Sequence, residues 1–392
     1  MASLRQGRAH LSDIRPLLAA TAWLGALVLV LTHLPLLSVA ENRLALGHPV
    51  TGLAALGTTG LVVLSLAAGA IGLTAASRRR AGAAAAVLLL ILATLLLGQG
   101  LGRGAALSLV GLPPAARASL GSGCWLALAL LGGALGLAVR RARIPGLGLA
   151  AGVLLSLAVA AMGHAGAFDA LSLAVEYAAR RGTVNAAIGE HLALAGAALV
   201  LAGLLAVGLS PASRGQGLVA LVLGGLQVVP AVALLGAMVA ATAALLRAVP
   251  ALRDLGLSAL GPVPAVVAIA AYLALPLWRG LALALRAPDA DTLLAAEALG
   301  LSRRQILARI RLPIGAPILV GAVRVAAVQG LGLATLGALV GAGGLGRIVF
   351  DGMAQFAPDL MLLGAIPVVA LSLLAERGLG RLEAAARRRW HA

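Results

Sequence analysis

Residues 294–313 read Leu294-Ala295-Ala296-Glu297-Ala298-Leu299-Gly300-Leu301-Ser302-Arg303-Arg304-Gln305-Ile306-Leu307-Ala308-Arg309-Ile310-Arg311-Leu312-Pro313. The stretch is charged and rich in small residues, yet it sits between two long apolar runs, near 263–285 and 314–340. Asp289 and Asp291 precede Thr292–Leu299, placing acids at the positive end of a good helix former. Gly300 permits a sharp turn that a side chain would obstruct. Ser302 is suited to cap a second short helix through Arg303, Arg304, Gln305, Ile306 and Leu307. Pro313 suits the first turn of the span that follows. The expectation is two short helices bent at a glycine, lying on a membrane surface; from spacing alone an ordinary basic interfacial loop serves equally well.

The rest of the chain supplies that membrane. Hydrophobic residues make up 61% of 392 residues and the mean hydropathy is +1.05, against an apolar share of about 45–50% in soluble domains. The apolar runs are continuous and reach about 18 residues or more, the length needed to cross a ~30 Å hydrocarbon core. Continuity rather than alternation favours helices over a barrel. The fold class is therefore an all-α polytopic membrane protein with about ten transmembrane helices. Five spans fall near 17–37, 53–76, 81–101, 123–139 and 146–163, and five more near 191–210, 217–246, 263–285, 314–340 and 360–375. Domain boundaries follow: an N-terminal membrane extension at 1–165, a polar extracytoplasmic linker at 166–190, a core at 191–380 containing the loop 286–313, and a basic tail at 381–392. Arg5, Arg8 and Arg15 precede the first run, and Ser38-Val39-Ala40 has the small residues of a cleavage site. The run is longer than the apolar core of about 7–15 residues in a signal peptide, so an uncleaved first span is expected.

The formal charge of +17 comes entirely from arginine, since lysine does not occur. Arginines cluster at span ends: Arg78-Arg79-Arg80, Arg140-Arg141-Arg143, Arg303-Arg304 and Arg387-Arg388-Arg389. That is the pattern of cytoplasmic loops held against anionic lipid, not of a nucleic-acid surface. With the N-terminus inside, the turns at Arg78–Arg80, Arg140–Arg143, Arg214 and 286–313, together with the C-terminal tail, all fall on the cytoplasmic side. The opposite loops, 40–52, 102–122 and 247–262, carry isolated arginines only; Arg180-Arg181 is a mild exception. Localisation in a bacterial plasma (inner) membrane, with both termini cytoplasmic, is expected.

Several chemistries lose support. The thirteen acidic residues lie outside the cores of the expected spans, whereas an ion-coupled carrier generally uses a carboxylate or histidine relay at membrane depth. The single cysteine, Cys124, and six scattered histidines offer no metal-ligand spacing. No catalytic residue and no metal site is assigned. Gly341-Ala342-Gly343-Gly344-Leu345-Gly346 formally fits a dinucleotide fingerprint but lacks the preceding strand and the acid about 20 residues on; a flexible turn is expected. No P-loop occurs, so any ATP and Mg²⁺ would be bound by a partner.

At Ala295, Ala296, Gly300, Ile310, Leu312 and Pro313 the sequence resembles the inner-membrane permeases of binding-protein-dependent ABC importers, whose cytoplasmic signature is Glu-Ala-Ala, three residues, Gly, nine residues and Ile-x-Leu-Pro. It departs at the first position, where Leu294 stands for Glu; Glu297 lies one turn later. Gly224–Leu235, Tyr272 with Pro276, Gly321–Arg324, Ala334-Thr335 and Val340–Gly346 are similar to the glycine betaine/choline-type osmoprotectant permeases, one branch of which carries a long N-terminal membrane extension. The resemblance implies a type I ABC importer permease fold for the C-terminal half. It further implies a coupling loop (Leu294, Ala295, Ala296, Glu297, Gly300, Arg303, Arg304, Ile310, Leu312, Pro313) gripped by a cytoplasmic ABC ATPase dimer. An extracytoplasmic substrate-binding protein, a second permease copy or paralogue and membrane lipid complete the expected partners, with no nucleic acid. ATP hydrolysis then belongs to a separate subunit, and this chain is not an enzyme.

The implied cargo is a compatible solute such as glycine betaine or choline. The alternatives are another small solute such as an amino acid, or an ion-coupled secondary transporter. Gln227, Pro230, Tyr272, Arg324, Gln329 and Thr335 are candidates to line a translocation path. Arg324, roughly 15 Å into its span, serves either function or helix packing; each of the polar groups could equally make an interhelical hydrogen bond. Nine aromatic residues, with only Tyr272 and Trp278 close together in a core span, argue against a quaternary-ammonium cage within this subunit.

Overall fold

The computed structural model describes residues 2–43, 45–77, 79–209 and 215–390. Arg78 and Arg214 lie outside the described residues, as do the side chains of Arg5, Arg8 and Arg15. The chain divides into two compact units, residues 1–179 and 180–392. Among the described residues nine helices are long and apolar enough to cross a membrane, and two shorter apolar helices, Leu18–His33 and Gln216–Val228, accompany them.

The first unit contains α1 (Ala2–His33), β1 (Pro35–Ala40), β2 (His48–Thr51), α2 (Gly52–Leu56), α3 (Thr58–Ala76), α4 (Arg80–Ser108), β3 (Arg117–Leu120), α5 (Ser122–Ala142) and α6 (Leu147–His164). The expected span at 53–76 is broken at Gly57, whose φ of +55° interrupts the helix between α2 and α3. The strands are an addition to the all-helical expectation. They form a small antiparallel sheet in the order β2-β1-β3, with Leu37 opposite both Val50 and Leu120. Pairing satisfies main-chain groups of loops that pack on the helix ends, where Leu36 and Leu37 are fully buried. Below the sheet, Leu27, Leu31, Leu90, Leu97 and Leu131 fill one apolar core. α4 is approached closely where its side chains are missing: a Cβ at Gly104 would collide with the carbonyl of Ala55 in α2, and one at Gly102 with that of Ala167 in the turn after α6.

The stretch expected as a polar linker is helical from Ser172 onward, in α7 (Ser172–Gly208), with one non-helical residue at Arg180. Its acids are satisfied without a loop: Glu176 is buried and pairs with Arg43, and Glu190 accepts the Gly344 N–H at 2.8 Å. The second unit continues with α8 (Gln216–Val228), α9 (Ala231–Ala248), α10 (Pro262–Leu285), α11 (Ala290–Ala298), α12 (Arg303–Ile306), α13 (Leu312–Gly337), α14 (Leu345–Ala354) and α15 (Pro358–Trp390). The single span expected at 217–246 is two helices, because Pro230 lacks an N–H and pushes Val229 into an extended conformation (ψ 129°). The core forms around α10 and α13. A Cβ at Gly280 would collide with Ala322, and one at Gly315 would stand 2.7 Å from Ala284 Cβ.

Candidate functional site

The segment between α10 and α13 is built by local rules that the sequence states openly. Asp289 caps α11 by accepting the Thr292 N–H at 2.6 Å. Hydrogen bonding from the Thr292 side chain first, and from its backbone second, holds the Asp289 carboxyl below its ordinary range. At the other end, Gly300 N–H donates to the Glu297 carbonyl (2.9 Å) and Leu301 N–H to that of Ala296 (3.1 Å). These two bonds are a Schellman stop, which places its glycine in the left-handed region, and Gly300 has φ +75°. Ser302 and Gln305 then form a reciprocal capping box, with Ser302 N–H donating to Gln305 Oε1 at 2.8 Å.

The second helix is not a separate short one. α12 passes through a π-helical turn, Leu307–Arg311, directly into α13. Pro313 lies just past the π turn, inside this continuous helix, where it withholds an N–H from the carbonyls of the preceding turn. Arg311 fastens the turn to α10 by donating to the Leu285 carbonyl at 2.6 Å. The segment is thus a hook with fixed angles: α11, a glycine stop, and a rod continuous with a membrane span.

The outer surface of the hook is apolar and basic. Leu294 is 63% exposed and Leu299 81%, while Ala296 and Ile306 are buried beneath them. Ala295, Glu297, Arg303 and Arg304 are exposed, Leu312 is 37% exposed, and Ile310 is half-buried in the π turn. Arg303 and Arg304 belong to none of the ion pairs among the described residues.

The six candidate path residues fall in three places. Gln227, Pro230 and Tyr272 come together at the α8–α9 break: Gln227 Nε2 donates to the Tyr272 carbonyl at 2.6 Å, and the Tyr272 hydroxyl donates to the Val229 carbonyl. A crevice of about 10 Å³ beside Tyr272, between α9, α10 and α13, holds a single water at most. Trp278 donates to the Leu209 carbonyl at 2.8 Å, so both aromatics of α10 are tied to main chain. Arg324 lies elsewhere, in a cluster with α15: it pairs with Glu376 (2.9 Å) and Glu383 (3.2 Å), and Glu383 also holds Arg387 (2.7 Å). Those contacts give Arg324 a packing role between α13 and α15. Gln329 and Thr335 are half-buried along α13.

The glycine turn at 341–346 packs against the start of the apolar part of α7. Gly341, Gly343 and Gly344 have positive φ, and the turn packs on Glu190 and His191, the latter fully buried with Nε2 3.0 Å from the Leu331 carbonyl. Sequence reasoning left Glu190 and His191 unassigned. The only signal was their position at the start of an apolar run, and their partners lie about 150 residues away.

Comparison with known proteins accounts for both units. Residues 15–174 match the family described as the N-terminal domain of the ABC transporter permease YehY, and residues 198–388 match the binding-protein-dependent transport system inner membrane components. A carnitine transport permease protein, OpuCB of Listeria monocytogenes, is 35% identical over 31% of this chain and 56% of its own length. A choline transport system permease protein, OpuBB of Bacillus subtilis (strain 168), is 26% identical over 47% of this chain and 80% of its own. Among solved structures, a chain of the MetNI methionine ABC transporter in an inward-facing conformation aligns with a TM-score of 0.45 at 23% identity, covering 53% of this chain and 97% of that one.

Proposed function

This chain belongs to the binding-protein-dependent inner-membrane permeases of ABC transport systems, and from that premise we propose that it is the membrane-spanning subunit of an ATP-driven importer for a quaternary-ammonium compatible solute. The observation that carries the reading is the hook at 290–313. It leaves Leu294 and Leu299 uncovered and two arginines unpaired, in a segment whose ends are locked to two spans. Apolar anchors ringed by charge are what a protein partner grips. The occupant of this surface is a cytoplasmic ATPase, which binds ATP and Mg²⁺ itself.

The geometry gives the coupling its route. A push on α11 cannot be absorbed at Gly300, because the Schellman stop and the capping box fix both sides of the bend. It passes through the π turn into α13, and from there to α10 and α15, which pack along it. A two-state tilt of such packed helices is how a small displacement opens one side of a path and closes the other. An extracytoplasmic receptor delivers the solute, and a second permease copy or paralogue completes the path. Glycine betaine, choline and carnitine are the substrate class, supported by the names of the relatives. The test is uptake of radiolabelled choline and glycine betaine by proteoliposomes containing this chain, its ATPase and its receptor. Accumulation that requires ATP and the receptor is expected; ATP-dependent uptake of an amino acid in place of both would overturn the substrate class.

A further inference from the structure

The first unit contains a cleft of about 520 Å³ between α1, α3 and α5, within the ~300–1,000 Å³ range of ligand sites. Its walls are Trp23, Ile71, Leu137 and small residues of α1 and α5, and its mouth carries Arg140 and Arg141. The cleft exists because α5 lacks side chains on this face. A Cβ at Gly133 would stand 2.8 Å from the Trp23 ring, whereas one at Gly136 would meet nothing within 4 Å. Trp23 is locked in place by donating to the Leu130 carbonyl at 3.1 Å.

The cleft's position is fixed by the chain. Its lining comes from Ala19, Ala20 and Trp23 in the middle of α1 and from the last turns of α3 and α5, the ends of α3 and α5 opposite the β-sheet. By the distribution of arginine this is the cytoplasmic end, and Arg79, Arg80 and Arg143 lie at the same level. Arg141 donates to the carbonyls of Thr74 and Ala75 (3.4 Å to the latter) and so caps α3. Arg140 is exposed and takes part in no hydrogen bond or ion pair among the described residues. The acids of this unit whose side chains are described, Glu41, Asp169 and Glu176, sit in or after the segments at the sheet end. Among the described residues the mouth is a positive site without a counter-charge, above an apolar slot.

We propose that this cleft binds one anionic phospholipid of the cytoplasmic leaflet, with its phosphate between Arg140 and Arg141 and an acyl chain along Trp23 and Leu137. Basic pockets between spans on this side are suited to acidic headgroups, and each arginine near the surface contributes about five-fold in affinity. The role is separate from solute transport and rests only on the orientation of the first unit.

The experiment is native mass spectrometry of the full chain released from detergent with phosphatidylglycerol or phosphatidylethanolamine added. The wild type should retain one phosphatidylglycerol in preference to phosphatidylethanolamine. Arg140→Gln should lower that retention about five-fold. Gly136→Leu should abolish it, because its Cβ meets nothing within 4 Å, the side chain extends into the slot, and helix propensity improves. Arg347→Gln, in the second unit, should leave it unchanged. Retention of phosphatidylglycerol undiminished in Arg140→Gln overturns the proposal, as does equal retention of the two lipids in the wild type. Arg140→Gln is a surface change that leaves folding intact, so it decides the matter even if Gly136→Leu misfolds.

Discussion

Replacing Gly315 by alanine is the smallest change that should disconnect the hook from the membrane core. The added Cβ would stand 2.7 Å from Ala284 Cβ and 2.8 Å from its carbonyl carbon, where carbon atoms rest at about 3.5–4.0 Å. The crowding cannot be relieved by a rotamer change, because one of the atoms is backbone and the other a Cβ. α10 and α13 must therefore part by about 1 Å. Overpacking of this kind costs about 1–3 kcal/mol, and removing a helical glycine returns about 0.5–1 kcal/mol. The net loss, about 1–2 kcal/mol, is a five- to thirty-fold shift away from the clasped state. The control lies on the same helix: Gly332 has nothing within 4 Å of its Cβ position, so Gly332→Ala should be neutral or mildly stabilising. Thermal unfolding of the purified chain should show Gly315→Ala lower by several degrees and Gly332→Ala unchanged or higher. In proteoliposomes the first variant should bind the ATPase but transport poorly. Equal melting and equal uptake for the two variants would refute the clasp as the transmission point.

Other consequences are as direct. Asp289→Ala removes the α11 cap, and amide exchange across 290–298 should accelerate roughly five-fold while Asp289→Asn stays near wild type; no acceleration would mean the cap is idle. Because the Asp289 carboxyl is held below its ordinary range, its contribution is complete above the unfolded value of 3.8 and fades as pH falls through the lower folded value. The same exchange rates should therefore be flat at neutral pH and rise only in strong acid. Gly300→Asp meets open space but inherits φ +75°, a strain of about 1–2 kcal/mol. It should leave assembly intact and reduce receptor-stimulated ATPase activity, and activity of wild-type magnitude would remove Gly300 from the mechanism. Arg324→Gln and Glu383→Gln each break one part of a shared cluster, so each should lower stability by about 1 kcal/mol. The double variant should lose clearly less than the two added together; strict additivity would show that the pair is not coupled.

The parts of the hook that were legible are those set by neighbours in the chain. Asp289 to Thr292, Ser302 to Gln305 and the glycine stop each span three or four residues, and the residue types alone nearly determine them. The spans were legible for the same reason, since burial in lipid needs only a run of apolar residues. What escaped depends on distant pairing. β1 and β3 are separated by β2 and three helices and have ordinary loop composition, so nothing local announces a strand. The helix at 172–190 was obscured by its acids, which read as loop until Arg43 and Gly344 supply partners. Arg324 stayed open between a path role and helix packing because Glu376 and Glu383 are more than fifty positions away. Pro230 was a visible signal with a known effect, and it does divide the run at 217–246.

The central claim is that the exposed face of α11 lies in the cytoplasm under an ATPase, and a single cysteine tests it. Leu294→Cys places an exposed thiol on that face, while the native Cys124 is fully buried and stays silent. A membrane-impermeant maleimide should label this variant in inside-out vesicles and not in intact cells, and added ATPase should protect it. Labelling from outside intact cells, or labelling of inside-out vesicles that bound ATPase leaves unchanged, would contradict the account.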